Sequence, residues 1–454
     1  MNSKSTNRIL AFDRSVSNDT RMTNLNNNDV IIGGSGSGKT GGYVIPNIRQ
    51  HYGSMIITDT KRNLYRKYGQ ELMAAGYAVR LLDFVNPHNS TFSYNPLDYI
   101  SQNPITKKHS EMAIVTLAKT LEPGVYEKDP FWSEAARTVL TFLIAFTLEA
   151  LPKREQNMNT VSVLFRIISD RNNTKIFDEW EICYPESFAT KKYQMFRGIS
   201  DSEKTWSSIM QFVANALNLF ESEETAGLYR SDLNRYSSDT IRDLGKKKMA
   251  LFLNVSDTDR SMDRLINVFY TQALHELCHM ADQSNDSRLK IPVRFILDDF
   301  AANVYIPDFD KIISVIRSRE ISVSLLLQSL TQLETLYTVP QASTIINNCD
   351  HMLYLGSQDL KTAEYVGFRA GKTMETVLSM PLDKAYLIER GRKAELVDKI
   401  KPYSEAYDES ALKVFERGTK KEGIASDKQK ESGSSDLLCA HVGDHGNTGA
   451  HPAA

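Results

Sequence analysis

A short, wholly apolar run, Val30-Ile31-Ile32, leads straight into a glycine-rich stretch. Beyond it, apolar runs of strand length alternate with stretches whose apolar residues recur at helical spacing. The alternation predicts strands over 54–58 and 78–83 with a helix over 64–75 between them, which is α/β winding. Tyr94-Asn95-Pro96-Leu97 interrupts it, and from about 106 to 240 the chain carries helical periods with no convincing strand. That block reads as an inserted all-α domain. Alternation resumes with strands over 249–255, 293–297 and 321–327, and with helices over 261–281 and 309–318. A helix over 330–337, a strand over 352–355, a helix over 360–369 and a last strand over 385–389 follow. Two halves of one sheet thus flank the insertion. The organisation read from the pattern is a polar N-terminal segment 1–28, an α/β domain in two parts, 29–105 and 241–417, the all-α insertion 106–240, and a disordered Lys/Gly/Ser/Asp-rich tail 418–454.

Composition narrows the function classes little. In 454 residues, 54 Lys and Arg face 56 Asp and Glu, a formal charge of −2, so no global basic field announces nucleic acid and such binding must use a local groove or pore. Cys183, Cys278, Cys349 and Cys439 lack the spacing of a metal cluster and suit a reducing compartment. The Asn/Ser-rich start has no signal-peptide pattern. The best membrane candidate, 139–151, is shorter than the roughly 20 apolar residues a bilayer needs and reads as a buried helix. The expectation is a chain with no transmembrane helix.

The glycine-rich stretch carries the chemistry. Gly33-Gly34-Ser35-Gly36-Ser37-Gly38-Lys39-Thr40 satisfies G-x-x-x-x-G-K-[ST] directly after a strand. Glycines let backbone N–H groups converge on phosphate oxygens, Lys39 brings a mobile cation to the β/γ-phosphates, and Thr40 offers a hydroxyl to Mg2+. The same run contains G-x-G-x-x-G at Gly36, Gly38 and Gly41, with Asp59 where a ribose-binding carboxylate would lie, but a dinucleotide turn has no use for Lys39 and Thr40. Asp298-Asp299 end an apolar strand, so one carboxylate can hold Mg2+ and the other can orient or deprotonate an attacking water. Arg317-Ser318-Arg319 end a helix and Gln328 ends the next strand, placing cations and an amide near the same sheet edge. The bland alternative is arginines opposing a helix dipole and a turn-capping glutamine.

Three other motifs compete for attention. His275-Glu276-Leu277-Cys278-His279 matches the zinc-protease pattern, yet both histidines fall off the apolar stripe formed by Met262, Leu265, Ile266, Phe269, Ala273, Leu277 and Met280. Basic runs at Lys107-Lys108, Lys246-Lys247-Lys248 and Lys420-Lys421 read equally as phosphate contacts or solvated faces. Phe131-Trp132 is expected to anchor the core of the helical block.

Together these residues resemble the type IV secretion coupling proteins of the TraG/TraD family. The resemblance runs through Tyr43-Val44-Ile45-Pro46-Asn47, Tyr94-Asn95-Pro96-Leu97, Phe131-Trp132, Leu297-Asp298-Asp299-Phe300-Ala301, Ile306-Pro307-Asp308-Phe309, Ile316-Arg317-Ser318-Arg319-Glu320-Ile321, Leu327-Gln328-Ser329 and Ile345-Ile346-Asn347-Asn348-Cys349-Asp350, covering about 29 to 403. It implies a RecA-like P-loop NTPase core with an inserted all-α domain, using ATP and Mg2+ and assembling as a homo-hexamer around single-stranded DNA. It further implies relaxase and secretion-channel partners, at the inner face of the cell membrane. Asp298 would be the metal acid, Arg317 a trans-acting finger, Gln328 a sensor of the γ-phosphate, and Arg390 a further nucleotide contact. One departure is Asp299, where family members usually place Glu. That shorter acid leaves a second reading open, a substrate receptor or scaffold with weak hydrolysis and protein cargo.

Overall fold

The computed structural model describes residues 7–400 except 61, 125–129, 172, 200–201, 223–224, 226–227, 229–237 and 301–303. Ala301, Lys420-Lys421 and the tail 418–454 lie outside the described residues. The polar start nonetheless forms regular structure. β1 (Asn7–Ala11) and β2 (Arg14–Ser17) pair as an antiparallel hairpin, and a single turn of helix follows at Thr20–Thr23. The sequence pattern missed this hairpin because only Leu10 and Ala11 supply its buried apolar side.

Consecutive rather than alternating apolar residues are what a parallel sheet covered on both faces demands. Such runs form β3 (Asp29–Ile32), β4 (Ser54–Asp59), β5 (Ala78–Asp83), β6 (Met249–Asn254), β7 (Val293–Leu297), β8 (Ile321–Leu327) and β9 (His351–Tyr354). β10 (Lys384–Glu389) and β11 (Glu395–Asp398) complete the sheet. Among the described residues the order is β11-β10-β9-β3-β8-β7-β4-β6-β5, parallel except that β10 runs antiparallel to β9 and β11. β11, beyond the strand expected to be last, buries only Val397, so its sequence carries no apolar run. The helix Val339–Asn347 was also unexpected. A capping box between Thr338 and Gln341 starts it in an otherwise polar stretch.

Among its described residues the 106–240 block contains helices and no strand, and it connects β5 to its neighbour β6. Its centre is the helix Phe131–Ala150, which buries thirteen residues against Glu111–Leu121, Met158–Ser169, Phe188–Ile199 and Glu203–Leu217. Asn157 caps one of these helices, its side chain accepting from the Thr160 N–H. Phe142, Phe146, Phe177 and Tyr193 pack with ring centroids about 5–6 Å apart. Phe131 is not the expected anchor. It opens the helix at 44% exposure and Trp132 is only partly buried, whereas Ala135, Ala136, Val139, Leu140 and Leu143 are fully inside. Phe131–Ala150 is the one helix among the described residues long and apolar enough to cross a membrane, and most of it is enclosed by the fold.

At the N-terminal end of β3 the interior becomes charged. Asp29 Oδ2 lies 2.6 Å from Arg8 Nε on β1 and 3.4 Å from Arg294 Nη1 on β7, and the Tyr43 hydroxyl donates to it. Tyr43 also bonds Ser324 of β8 at 2.8 Å, and His351 of β9 sits 3.1 Å from Arg8 Nη2. Burial alone would raise the Asp29 carboxyl, but Arg8, His351 and Arg294 outweigh it and hold it well below the usual range. Burial first, and then the Asp29 charge, push the Tyr43 phenol far up, so it stays neutral and donates. Removing one partner of a buried ion pair typically costs about 3–5 kcal/mol, because the other charge is left uncompensated. Asp29→Ala is therefore expected to lower unfolding stability by about that much in a urea titration; a loss under 1 kcal/mol would show that the cluster does not clamp these elements together.

Candidate functional site

Where β3 ends, the chain turns through Gly33–Thr40 at the C-terminal edge of the parallel strands. Its backbone is pinned on both sides: Gly33 N–H donates to Leu327 O at the end of β8, and Gly34 N–H to Gly356 O just past β9. Gly36 and Gly38 take φ of 73° and 95°, conformations that side chains rarely adopt, and the space where a Cβ would project is open to 4 Å at both. Ser35 is exposed at the loop tip, and the buried Ser37 Oγ has no hydrogen-bond partner. The helix leaving the loop opens with a π turn, Thr40–Val44, and continues as Ile45–Ile48; Gly41, Gly42 and Pro46 are poor α formers. Asn47 fastens this helix to β1, donating to Ile9 O and accepting from Ile9 N.

Lys39 Nζ arches back over the loop, donating to Gly33 O at 2.7 Å and Gly34 O at 3.4 Å. The Thr40 hydroxyl donates to Asp298 Oδ2 at 2.9 Å, joining residues 258 apart in sequence. Burial pushes the Asp298 carboxyl up to about 6, reinforced by the Asp299 charge and opposed by the Thr40 hydrogen bond and Lys39. Asp299 takes φ of 50°, donates its N–H to Asp298 Oδ1, and accepts from Gln328 Nε2 at 3.4 Å. Gln332 Nε2 reaches Gln328 Oε1 at 3.4 Å. An open backbone turn, an ammonium, and a hydroxyl with a carboxylate at one point fit a polyphosphate and a hard cation with oxygen ligands. The orphaned Ser37 hydroxyl faces the same loop.

Gly33, Gly34, Ser35, Gly36, Ser37, Gly38, Lys39, Thr40, Asp298, Asp299 and Gln328 thus gather at one edge. Arg317 and Arg390 do not, which corrects the expectation that Arg317 shares an edge with Gln328. The helix Phe309–Val315 runs back against the strands and ends in the 3-10 turn Ile316–Arg319, so Arg317 emerges where β8 begins. A seven-residue strand at ~3.3 Å per residue separates it from the loop edge by roughly 20 Å. Its Nη2 reaches Thr20 O at 3.4 Å. Arg390 leaves the antiparallel β10 at that same far edge, paired with Asp350 at 3.0 Å and donating to Asn24 O at 2.9 Å.

The competing motifs are structural here. Asp59 accepts from the Tyr65 N–H at the start of a helix. His275 and His279 are exposed, while Glu276 between them is buried and paired with Arg242 at 2.7 Å. Lys247 pairs with Asp239, and Lys248 donates to His51 O. Lys399 was flagged by no motif. Its Nζ donates to Leu355 O at 2.6 Å and approaches Ser37 O at 3.5 Å, propping the loop from behind; only the topology brings β11 to that position.

With this geometry in hand, comparison with known proteins is informative. Residues 7–407 match the family model described as Type IV secretory system Conjugative DNA transfer. The conjugal transfer protein TraG of Rhizobium radiobacter is 22% identical over 353 residues, 76% of this chain and 52% of the relative. VirD4 of Agrobacterium fabrum is 22% identical over 345 residues, covering 75% and 49%. The chain spans about half the length of the curated relatives it matches. Among solved structures, the bacterial conjugative coupling protein TrwBΔN70 in complex with sulphate superposes with a TM-score of 0.64 at 15% identity, covering 85% of this chain and 88% of that one. The plasmid coupling protein TrwB with ADP and Mg2+ gives 0.62 at 15%, covering 85% and 87%. The fold is accordingly the RecA-like α/β fold of these proteins.

A carboxyl whose folded pKa, about 6, exceeds its unfolded value of about 3.8 binds more protons in the native state between those pH values, so its burial costs stability above pH 6 and the cost fades below. Asp298→Asn is expected to stabilise the nucleotide-free protein at pH 8, by up to about 3 kcal/mol, and to lose most of that advantage by about pH 4. Thermal unfolding at the two pH values tests this; a pH-independent difference would refute the raised pKa.

Proposed function

The chain belongs to the Type IV secretory system Conjugative DNA transfer family, and from that premise we propose that it is an ATP-hydrolysing coupling protein that passes single-stranded DNA, with attached relaxase, to a type IV secretion channel. The observation that carries the reading is the meeting of Thr40 with Asp298 beside Lys39. Two motifs far apart in sequence converge there, which supports reading the point as one phosphate-and-metal site. That TrwB, with the same fold, is described with ADP and Mg2+ supports the choice of ligands.

In this reading Lys39 exchanges the Gly33 and Gly34 carbonyls for β/γ-phosphate oxygens, and backbone N–H groups of Gly34–Thr40 line the polyphosphate. Thr40 and Asp298 would hold Mg2+, which would supply positive charge to the phosphoryl oxygens. Asp299 aligns or deprotonates the attacking water, and Gln328, on the Asp299 carboxylate, reports the γ-phosphate. Arg317 and Arg390, at the opposite sheet edge, serve the nucleotide of the adjacent subunit in a homo-hexamer. The motor comprises 29–105 and 241–417 and carries the all-α insertion 106–240. It works in the cytoplasm at the inner face of the membrane, with relaxase and channel components as partners.

One observation favours the second reading, a receptor or scaffold with weak hydrolysis and protein cargo. Asp299 is one methylene shorter than the usual glutamate, and its carboxylate is in contact with Gln328. DNA-stimulated turnover discriminates: a motor accelerates when single-stranded DNA is added, and a scaffold does not.

Lys39→Ala is expected to abolish hydrolysis and weaken nucleotide binding at an unchanged unfolding midpoint, and normal turnover by that variant would sink the site. Asp299→Glu is expected to raise kcat if the backbone follows the family. A tenfold drop, roughly 1.4 kcal/mol of barrier, would mean that the pocket is built around aspartate.

A further inference from the structure

At the far edge of the sheet a cavity of about 470 Å3 is lined by Thr20, Arg21, Asn24, Arg288, Arg317 and Ser318. Three guanidiniums therefore face one space on a chain whose formal charge is −2. Arg288 is neutralised by Glu320. Arg317 makes a single long contact, to Thr20 O, and the exposed Arg21 has no side-chain partner among the described residues. Like charges gathered and left unspent mark a place built for an anion, and planar arginine forks suit phosphoryl oxygens best.

The backbone around Arg21 is held by the residues already assigned to the neighbour's nucleotide. Asp19 caps the turn Thr20–Thr23 by accepting from the Arg21 N–H at 2.9 Å. Arg317 donates to the carbonyl of Thr20 at the start of that turn, and Arg390 to the carbonyl of Asn24 at its end. The turn is thus clasped between two arginines, with a third projecting from it. We infer that Arg21 is a second trans-acting cation, which with Arg317 forms a cradle for the polyphosphate of a nucleoside triphosphate bound to the adjacent subunit's loop. This rests on the proposed role of Arg317. It gives the hairpin segment, which carries no nucleotide motif, a direct part in turnover.

Arg21→Ala is expected to cut ATP turnover at least tenfold while fluorescent-nucleotide affinity for its own intact loop changes less than twofold. Arg21→Lys should recover part of the loss. Mixed with Lys39→Ala protein, under conditions where native mass measurement shows mixed rings, Arg21→Ala should regain activity, because some interfaces then combine an intact loop with an intact Arg21. An Arg317→Ala plus Lys39→Ala mixture separates the two ideas. If it recovers and the Arg21→Ala mixture does not, the inference about Arg21 is wrong and the reading of Arg317 stands. Recovery of the Arg21→Ala mixture alone would remove Arg317 from the role and overturn the shared cradle; if neither recovers, both are wrong. Unchanged DNA-free turnover with weakened binding of an oligothymidine would assign the cavity to DNA phosphates and overturn the inference.

Discussion

Asp29 is a single carboxylate facing two buried guanidiniums, and that imbalance constrains much of the molecule. Desolvated charge is tolerated only where partners approach closely and every remaining donor finds an acceptor. Arg8 and Arg294 therefore also donate to the Asn18 side chain, Arg8 further to the Asn27 side chain, and Arg294 to the Asn27 carbonyl and the Ser324 hydroxyl. The consequence is geometric. β1, β3, β7, β8, β9 and the helix behind the phosphate loop are all referenced to one point, and Tyr43 extends that reference into the helix that starts at Thr40.

The sheet then acts as a ruler with different chemistry at its two ends. The loop and the strand ends at its edge deliver Thr40, Asp298, Asp299 and Gln328, groups that on the proposed reading must be placed to within about 1 Å around a phosphate chain. The far edge carries Arg21 in the turn before β3, Arg317 before β8 and Arg390 after β10. On the proposed reading, a subunit with Asp298 and Asp299 at one edge and Arg21 and Arg317 at the other would be completed by a copy of itself, the arrangement a head-to-tail ring requires.

Much of this was legible from residue order. Val30-Ile31-Ile32 before Gly33–Thr40 specified strand, turn and helix start, because glycines, lysine and threonine at that spacing have few other uses. Val293–Leu297 ending in two aspartates located the second half of the site. What resisted reading depends on direction rather than composition. The side of the sheet on which Arg317 emerges is set by the helix running back to the strand beginnings, which spacing alone does not encode. Lys399 reaches the loop through β11, a strand with one buried side chain, and the Arg8 hairpin has too few apolar residues to declare itself.

The strand order also has a consequence for synthesis. β3, β4 and β5 are made first, yet none is a neighbour of another: β3 lies between β8 and β9, β4 between β6 and β7, and β5 against β6 alone. Every rung of the sheet therefore waits for residue 249 and beyond. At roughly 5–20 residues per second, translating the stretch between β5 and β6 takes on the order of ten to thirty seconds. Throughout that interval three apolar strands have emerged without a strand partner, while the helical insertion, rich in local contacts, can already fold. The nascent chain is thus most exposed to misassociation while its best-folding part is being made, and a product cut short before β6 would retain the phosphate loop sequence but no sheet to hold it.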